Sequence, residues 1–301
     1  MEYFDRFLQQ NSHLHIEINI PLAKYTTLRV GGPADYFAEI ENEGDLQSLL
    51  FAAREAGLPV LIMGNGSNLL VRDGGFQGLV IRLGKSFSRI DRTGNFLYAQ
   101  AGALLSALSV RARDEGLAGL EFAQGIPGTV GGGTYMNAGA YGGELGNCIR
   151  EAKVLSGSEI KTVPGEQMDF SYRHSRAMEE GWVVLGALFS LRPGDPKEID
   201  SAMRDFSARR KEKQPLEYPS AGSFFKRPQG HFAGALIEGA NLKGLTVGGA
   251  QVSEKHAGFL INIGNATAKD FLDLMAKVQA AVMECYQVAL EPEVRIVGRD
   301  L

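Results

Sequence analysis

Apolar residues recur at helical spacing most clearly over residues 267–286, where Phe271, Leu274, Met275, Val278, Ala281 and Val282 share one face. Thr267 and Asp270 stand three apart at its start, the pairing that exchanges hydrogen bonds in a capping box. The same period predicts helices over 43–57 (Leu46, Leu49, Leu50 and Ala53 inward), 103–115 (Leu104, Leu105, Leu108 and Ala112) and 197–213 (Ile199, Met203 and Phe206). A shorter helix is predicted over 232–239. Short apolar runs bounded by turn residues predict strands at 60–63, 69–71, 78–83, 96–99, 152–155, 160–163, 183–191, 247–253, 258–263 and 290–297. Residues 1–24 read as a short helix followed by a connector.

One stretch fits neither period. Residues 124–146, QGIPGTVGGGTYMNAGAYGGELG, hold nine glycines among twenty-three residues and no charge before Glu144. A flexible linker would be more polar, and Ile126, Pro127, Val130, Tyr135, Met136 and Tyr141 would bury surface. An ordered turn system is expected, with backbone N–H groups close to something large, flat or anionic.

Composition narrows the class. The chain of 301 residues can hold two or three domains. A net charge of −4 without a Lys/Arg tract argues against nucleic acid or an anionic membrane as main partner. The N-terminal MEYFDRFLQQ is acidic where a secretory signal is basic, and no apolar run reaches membrane length. Cys148 and Cys285 lie far apart, and no Cys or His spacing suits a metal. A cytoplasmic protein with reduced thiols and no metal is expected.

Candidate chemistry is scattered. Residues 64–68, GNGSN, form a turn between two apolar runs, either a plain hairpin or a nest of N–H groups for a phosphate. The spacing matches neither GxGxxG nor GxxxxGK[ST], so Rossmann and P-loop readings fail. Residues 25–37 place Arg29 before a Gly-Gly-Pro turn, as a simple turn or an anion contact. In 170–176, FSYRHSR, Arg173 is a candidate clamp for an anion. Ser223 follows Ala221-Gly222 outside any GxSxG elbow, as an ordinary turn serine or a proton donor. Lys226 and Arg227 can hold a phosphate. Glu293 and Arg295, two apart on a strand, are either a surface pair or polar groups facing a site.

Taken in order, TTLRVGGPAD, GNGSNLLV, GIPGTVGG with MNAGAYGGE, FSYRHSR, SAGSFFKRP, KHAGF and EPEVRIVG resemble the UDP-N-acetylenolpyruvoylglucosamine reductase (MurB) family of peptidoglycan synthesis, over residues 25–298. The length and the FKRP form resemble its shorter, second type. The resemblance implies an α+β fold: a two-lobed FAD-binding domain of the vanillyl-alcohol-oxidase (PCMH) type, with lobes at 1–80 and 81–193, and an α+β UDP-sugar domain at 194–290. A final strand, 291–301, would return to the active site.

It further implies non-covalent FAD, NADPH as co-substrate, and reduction of the enolpyruvyl ether of a UDP-sugar. The flavin would be met by Arg29, by Gly64, Asn65, Gly66, Ser67 and Asn68 at the diphosphate, and by Gly125, Pro127, Gly128, Thr129, Gly132, Asn137, Gly139 and Ala140. Arg173 matches the family's carboxylate-binding arginine, Ser223 its proton donor, and Glu293, in protonated form, its enolate-stabilising carboxyl. Lys226, Arg227, His256 and Arg295 fall at substrate positions. The expected partner is a small-molecule substrate, with neither nucleic acid nor membrane, and a monomer or weak oligomer.

Two other readings stay open. An oxidase of the same superfamily needs no proton donor facing a carbanion, which leaves SAGSFFK and EPEVR unexplained. A non-catalytic nucleotide-binding module does not need Arg173, Ser223 and Glu293 to meet.

Overall fold

The computed structural model describes residues 2–301. The chain divides into two compact units, each assembled from separated stretches. Unit 1 takes the N-terminal residues through Glu17, Phe37–Asn65 and Leu79–Arg210; unit 2 takes Ile18–Tyr36, Gly66–Gly78 and Lys211–Leu301.

Unit 1 holds a five-stranded antiparallel sheet in the order Glu159–Pro164, Ile149–Ser156, Val183–Ser190, Phe96–Gln100, Ile90–Thr93. Ala187 is the hinge of its register, facing Ala152 on one side and Ala99 on the other. The helix Leu105–Asp114 buries Leu105, Leu108 and Ala112, and these join Leu97, Phe122, Val130, Leu145 and Phe189 in one core. Val60–Met63 pairs in parallel with residues 79–82 of the strand Phe76–Leu83. The helix Glu43–Glu55 starts on Asn42, whose side chain accepts from Asp45 N–H, and buries Leu46 and Leu49.

Unit 2 is built on a four-stranded antiparallel sheet, Ser220–Ser223, Phe259–Asn262, Ala250–Val252 and Thr246–Val247 in that order. The helix Ala268–Tyr286 covers it. Phe271, Leu274, Val278 and Val282 are fully buried there beside Phe224, whose ring stacks on Phe271 at 6.2 Å. Burying each such side chain contributes roughly 1.5–3 kcal/mol, so this face anchors the unit. Leu28, Val30 and Leu70 complete the core from far upstream. Arg295–Val297 pairs in parallel with Leu69–Val71.

The structure adds strands that the pattern does not predict, Pro33–Ile40, Ile90–Thr93 and Ser220–Ser223 among them, and departs from it elsewhere. Ile16–Pro21 is a strand rather than a connector, although Ile18 is 67% exposed. Its alternation of apolar and polar residues is real, but too little of it is buried to stand out. The predicted strand 247–253 is split by a turn at Gly248, φ 53°. Of 290–297 only Arg295–Val297 is ladder; Pro292, which has no N–H, makes an isolated bridge to Phe225. The glycine-rich stretch is ordered but contains a helix, Val130–Met136. Thr129 caps it through a side chain that accepts from Gly132 N–H.

Candidate active site

The loop 64–68 leaves a buried strand and turns on Gly66, at φ 59°. None of its five N–H groups donates to a protein acceptor among the described residues. Backbone donors left unpaired beside packed structure imply an outside acceptor. Within unit 1, Asn65 Nδ2 donates to Pro127 O at 2.7 Å, and a Cβ on Gly64 would collide with the Thr129 side chain. The N–H groups of Gly128 and Thr129 are unpaired as well. Within unit 1, the Gly64, Asn65, Gly128 and Thr129 donors beside a side-chain-free surface fit the diphosphate of FAD, the anionic part of that cofactor.

Most glycines of 124–146 are filled by protein, not held open. A Cβ on Gly133 would meet Leu105 and Leu145, one on Gly143 would meet Phe122, and one on Gly146 would meet Phe170. Gly132 differs: its added Cβ would meet only Thr129 Oγ1, at 3.6 Å. Gly139 and Ala140 pair with Glu144 and Gly143 across a two-residue turn, Tyr141 at φ 52° and Gly142 at φ 84°. That is a type I′ turn, which rarely carries an aromatic residue first.

Asn137 ends the Val130–Met136 helix in the left-handed region, at φ 44°. It is fully buried, and its amide donates to Ser171 O at 2.9 Å and accepts from Gly146 N–H at 2.8 Å. Asn137 thereby positions the turn 171–174, closed by mutual bonds between Ser171 and His174. Arg173 sits on that turn at φ 56°, a place normally given to glycine or asparagine. Its Nη2 donates to Gly139 O at 3.3 Å, and its guanidinium lies 4.9 Å from the Tyr172 ring centre. A bulky residue held in this conformation stores local strain, a pattern that clusters at functional sites.

In unit 2, Ser223 ends its strand after Gly222, φ 77°. Its side chain is exposed and bonds to none of the described residues. The next residues run beside the C-terminal segment: Glu293 N–H donates to Phe224 O and Lys226 N–H to Glu291 O, both at 2.9 Å. Val294 points into the core, leaving half-buried Glu293 and exposed Arg295 on the other side. Asn68 is bonded to both neighbours of Val294, donating from Nδ2 to Glu293 O at 3.1 Å and accepting from Arg295 N–H at 3.0 Å. Thus Asn68, Ser223, Glu293 and Arg295 are brought together.

Other predicted residues have their own engagements. Lys226 Nζ pairs with Glu291 at 3.2 Å, and Arg227 stacks on Phe232 at 4.5 Å. Arg29 is exposed at φ 56°. His256 Nδ1 accepts from Gly258 N–H at 3.1 Å, which leaves the proton of the neutral ring on Nε2. Burial lowers its pKa below the ordinary histidine value, so the ring is a neutral donor at pH 7.

Residues 34–160 match the family described as an FAD binding domain, and residues 214–297 match UDP-N-acetylenolpyruvoylglucosamine reductase, C-terminal domain. A UDP-N-acetylenolpyruvoylglucosamine reductase of Latilactobacillus sakei is 48% identical over 300 residues, 99% of each chain. One of Levilactobacillus brevis is 51% identical over 281 residues, 93% of this chain and 92% of its own. The crystal structure of the Thermus caldophilus enzyme superposes with a TM-score of 0.83 at 37% identity, covering 95% of this chain and all of that one. Identity of this order along the whole length, with both domain matches in place, makes the chain a member of the UDP-N-acetylenolpyruvoylglucosamine reductase family.

Proposed function

We propose that the chain reduces UDP-N-acetylglucosamine enolpyruvate to UDP-N-acetylmuramate, with non-covalent FAD and with NADPH as electron source. When bound, FAD would supply the redox chemistry, the relay of a hydride from NADPH to the enolpyruvyl methylene carbon. The reading is carried by one observation: Asn68, at the end of the donor-rich loop 64–68, bonds to the segment that carries Glu293, next to the unpaired Ser223 hydroxyl. A donor-rich loop bonded to the backbone that carries a carboxyl group, with a hydroxyl nearby, suits a hydride-and-proton addition.

Each side chain then has a task. The N–H groups of Gly64, Asn65, Gly128 and Thr129 hold the diphosphate. Arg173 binds the substrate carboxylate and counters the negative charge that develops beside it. Glu293 stabilises the enolate that forms beside the carboxylate. Ser223 Oγ–H gives its proton to the carbon next to the carboxylate. A serine hydroxyl is a weak acid, so this transfer relies on the basicity of that carbon. Lys226, Arg227, Arg295 and the neutral Nε2–H of His256 contact the UDP-sugar.

The test separates the two half-reactions. Purified protein should carry a yellow chromophore that NADPH bleaches anaerobically and UDP-N-acetylglucosamine enolpyruvate restores. Bleaching without restoration by that substrate would defeat the assignment. In Ser223→Ala, bleaching by NADPH should persist while restoration slows by roughly 10²–10⁴-fold. An equal loss in both steps would remove Ser223 from the proton-donor role.

A further inference from the structure

Three side chains of the helix Pro196–Lys213 grip the glycine-rich stretch within unit 1. Phe206 stacks on Tyr141, ring centres 4.7 Å apart and planes 3° from parallel. Ser207 Oγ donates to Gln124 Oε1 at 3.4 Å. Arg210 lies on Gly125, where an added Cβ would stand 2.7 Å from Nη1 and 3.0 Å from Cδ. A side chain at position 125 would displace that guanidinium from the backbone.

The arginines of this helix are treated unequally. Arg204 and Arg209, both exposed, each reach a carboxylate one turn back, Asp200 at 2.7 Å and Asp205 at 2.8 Å. The residue one turn back from Arg210 is Phe206. Half-buried Arg210 has neither a hydrogen bond nor an ion pair with the described residues. Burial is the main influence on it and lowers its pKa from the ordinary arginine value, with Tyr141 acting in the opposite direction. It remains protonated, as arginine does in proteins.

A desolvated cation without a counter-charge costs folding free energy. Such a departure from local consistency is expected where a ligand supplies what is missing. Gly125 leads directly into residues 126–129, where the Gly128 and Thr129 N–H groups are unpaired. We propose that Arg210 is an anion-binding residue of the cofactor site, its guanidinium taking an oxyanion of bound FAD. This rests on reading the chain as an FAD enzyme.

The test compares full-length wild type, Arg210→Met and Arg210→Lys as apoproteins titrated with FAD. Removing an uncompensated cation should let apo Arg210→Met melt no lower than wild type. Its Kd for FAD, followed by flavin fluorescence, should rise about tenfold or more, with a smaller FAD-induced rise in Tm. Arg210→Lys, which keeps the charge but not the fork, should lie between. Titration with UDP distinguishes the cofactor from the substrate as source of the oxyanion. An FAD Kd within twofold of wild type in Arg210→Met overturns the proposal, whether UDP affinity falls (a substrate contact) or apo stability falls (a packing role). Wild type that binds no FAD overturns the functional reading as well, and shows it without any substitution.

Discussion

The Cys148 thiol donates to Gly119 O at 3.2 Å, and burial, reinforced by the Glu121 carboxylate, pushes its pKa up to about 11. Cys285 is exposed near the end of a helix. The thiolate is the reactive form, so in Cys285→Ala the remaining thiol should react with a disulfide reagent at pH 8 on the order of a hundredfold slower than a free cysteine. Fast labelling of Cys148 in the folded protein would contradict this placement. The sequence shows two isolated cysteines but not which one is shielded, because the shielding comes from Gly119 and Glu121. Site residues are legible to different depths for the same reason. Arg173 stands out among aromatics, yet its left-handed backbone depends on Asn137, thirty-six positions earlier. Arg210, within RRKEK, reads as one more solvated charge.

The start of the helix Ala268–Tyr286 shows the same division between near and far. Thr267 and Asp270 form the expected capping box: Asp270 N–H donates to Thr267 Oγ1 at 3.1 Å, and Thr267 N–H to Asp270 at 2.9 Å. Burial alone would raise the Asp270 pKa, but bonds from the Thr267 and Gly249 backbone outweigh it and lower the pKa below the usual value. The two remaining first-turn donors, Ala268 and Lys269 N–H, are taken by the Asp73 carboxylate, both at 2.8 Å. Nothing local in the sequence announces Asp73. Its charge meets two donors at the positive end of the helix, so Asp73→Ala should cost more than Thr267→Ala, roughly 1–3 kcal/mol against about 1. Urea unfolding would measure both, and the reverse ranking would exclude Asp73 as the stronger cap. Helices were legible here because a 3.6-residue period survives without knowledge of neighbours. The Val130–Met136 helix was not, since glycine fills the positions where apolar side chains would mark the period.

Across the whole molecule, the alternation of stretches between two units is what the sequence hides most completely. Unit 2 takes Leu69–Val71 from the first quarter of the chain and pairs it with Arg295–Val297 at the end. The Arg72–Asp300 ion pair beside it is partly exposed and adds little. A chain ending at Val294 should therefore lose hydrogen-exchange protection at residues 69–71, while the sheet through Val183–Ser190 keeps it. Unchanged protection at 69–71 would mean the pairing contributes nothing. The matched family segments are not folding units either. Residues 34–160 omit Val183–Ser190, the middle strand of the unit 1 sheet, and 214–297 omit Leu28, Val30 and Leu70 from the core they help close.

The placement of those three residues has a consequence for biosynthesis. Leu28, Val30 and Leu70 are made early, whereas the rest of their core begins at Ala221. At about 5–20 residues added per second, they wait on the order of ten seconds for partners that the ribosome has not yet made. Their apolar side chains stay uncovered throughout that interval, while all strands of the five-stranded sheet are complete at Ser190. The nascent chain thus closes its middle before its beginning, and a pause in translation between residues 190 and 221 would lengthen the period when it is most open to aggregation.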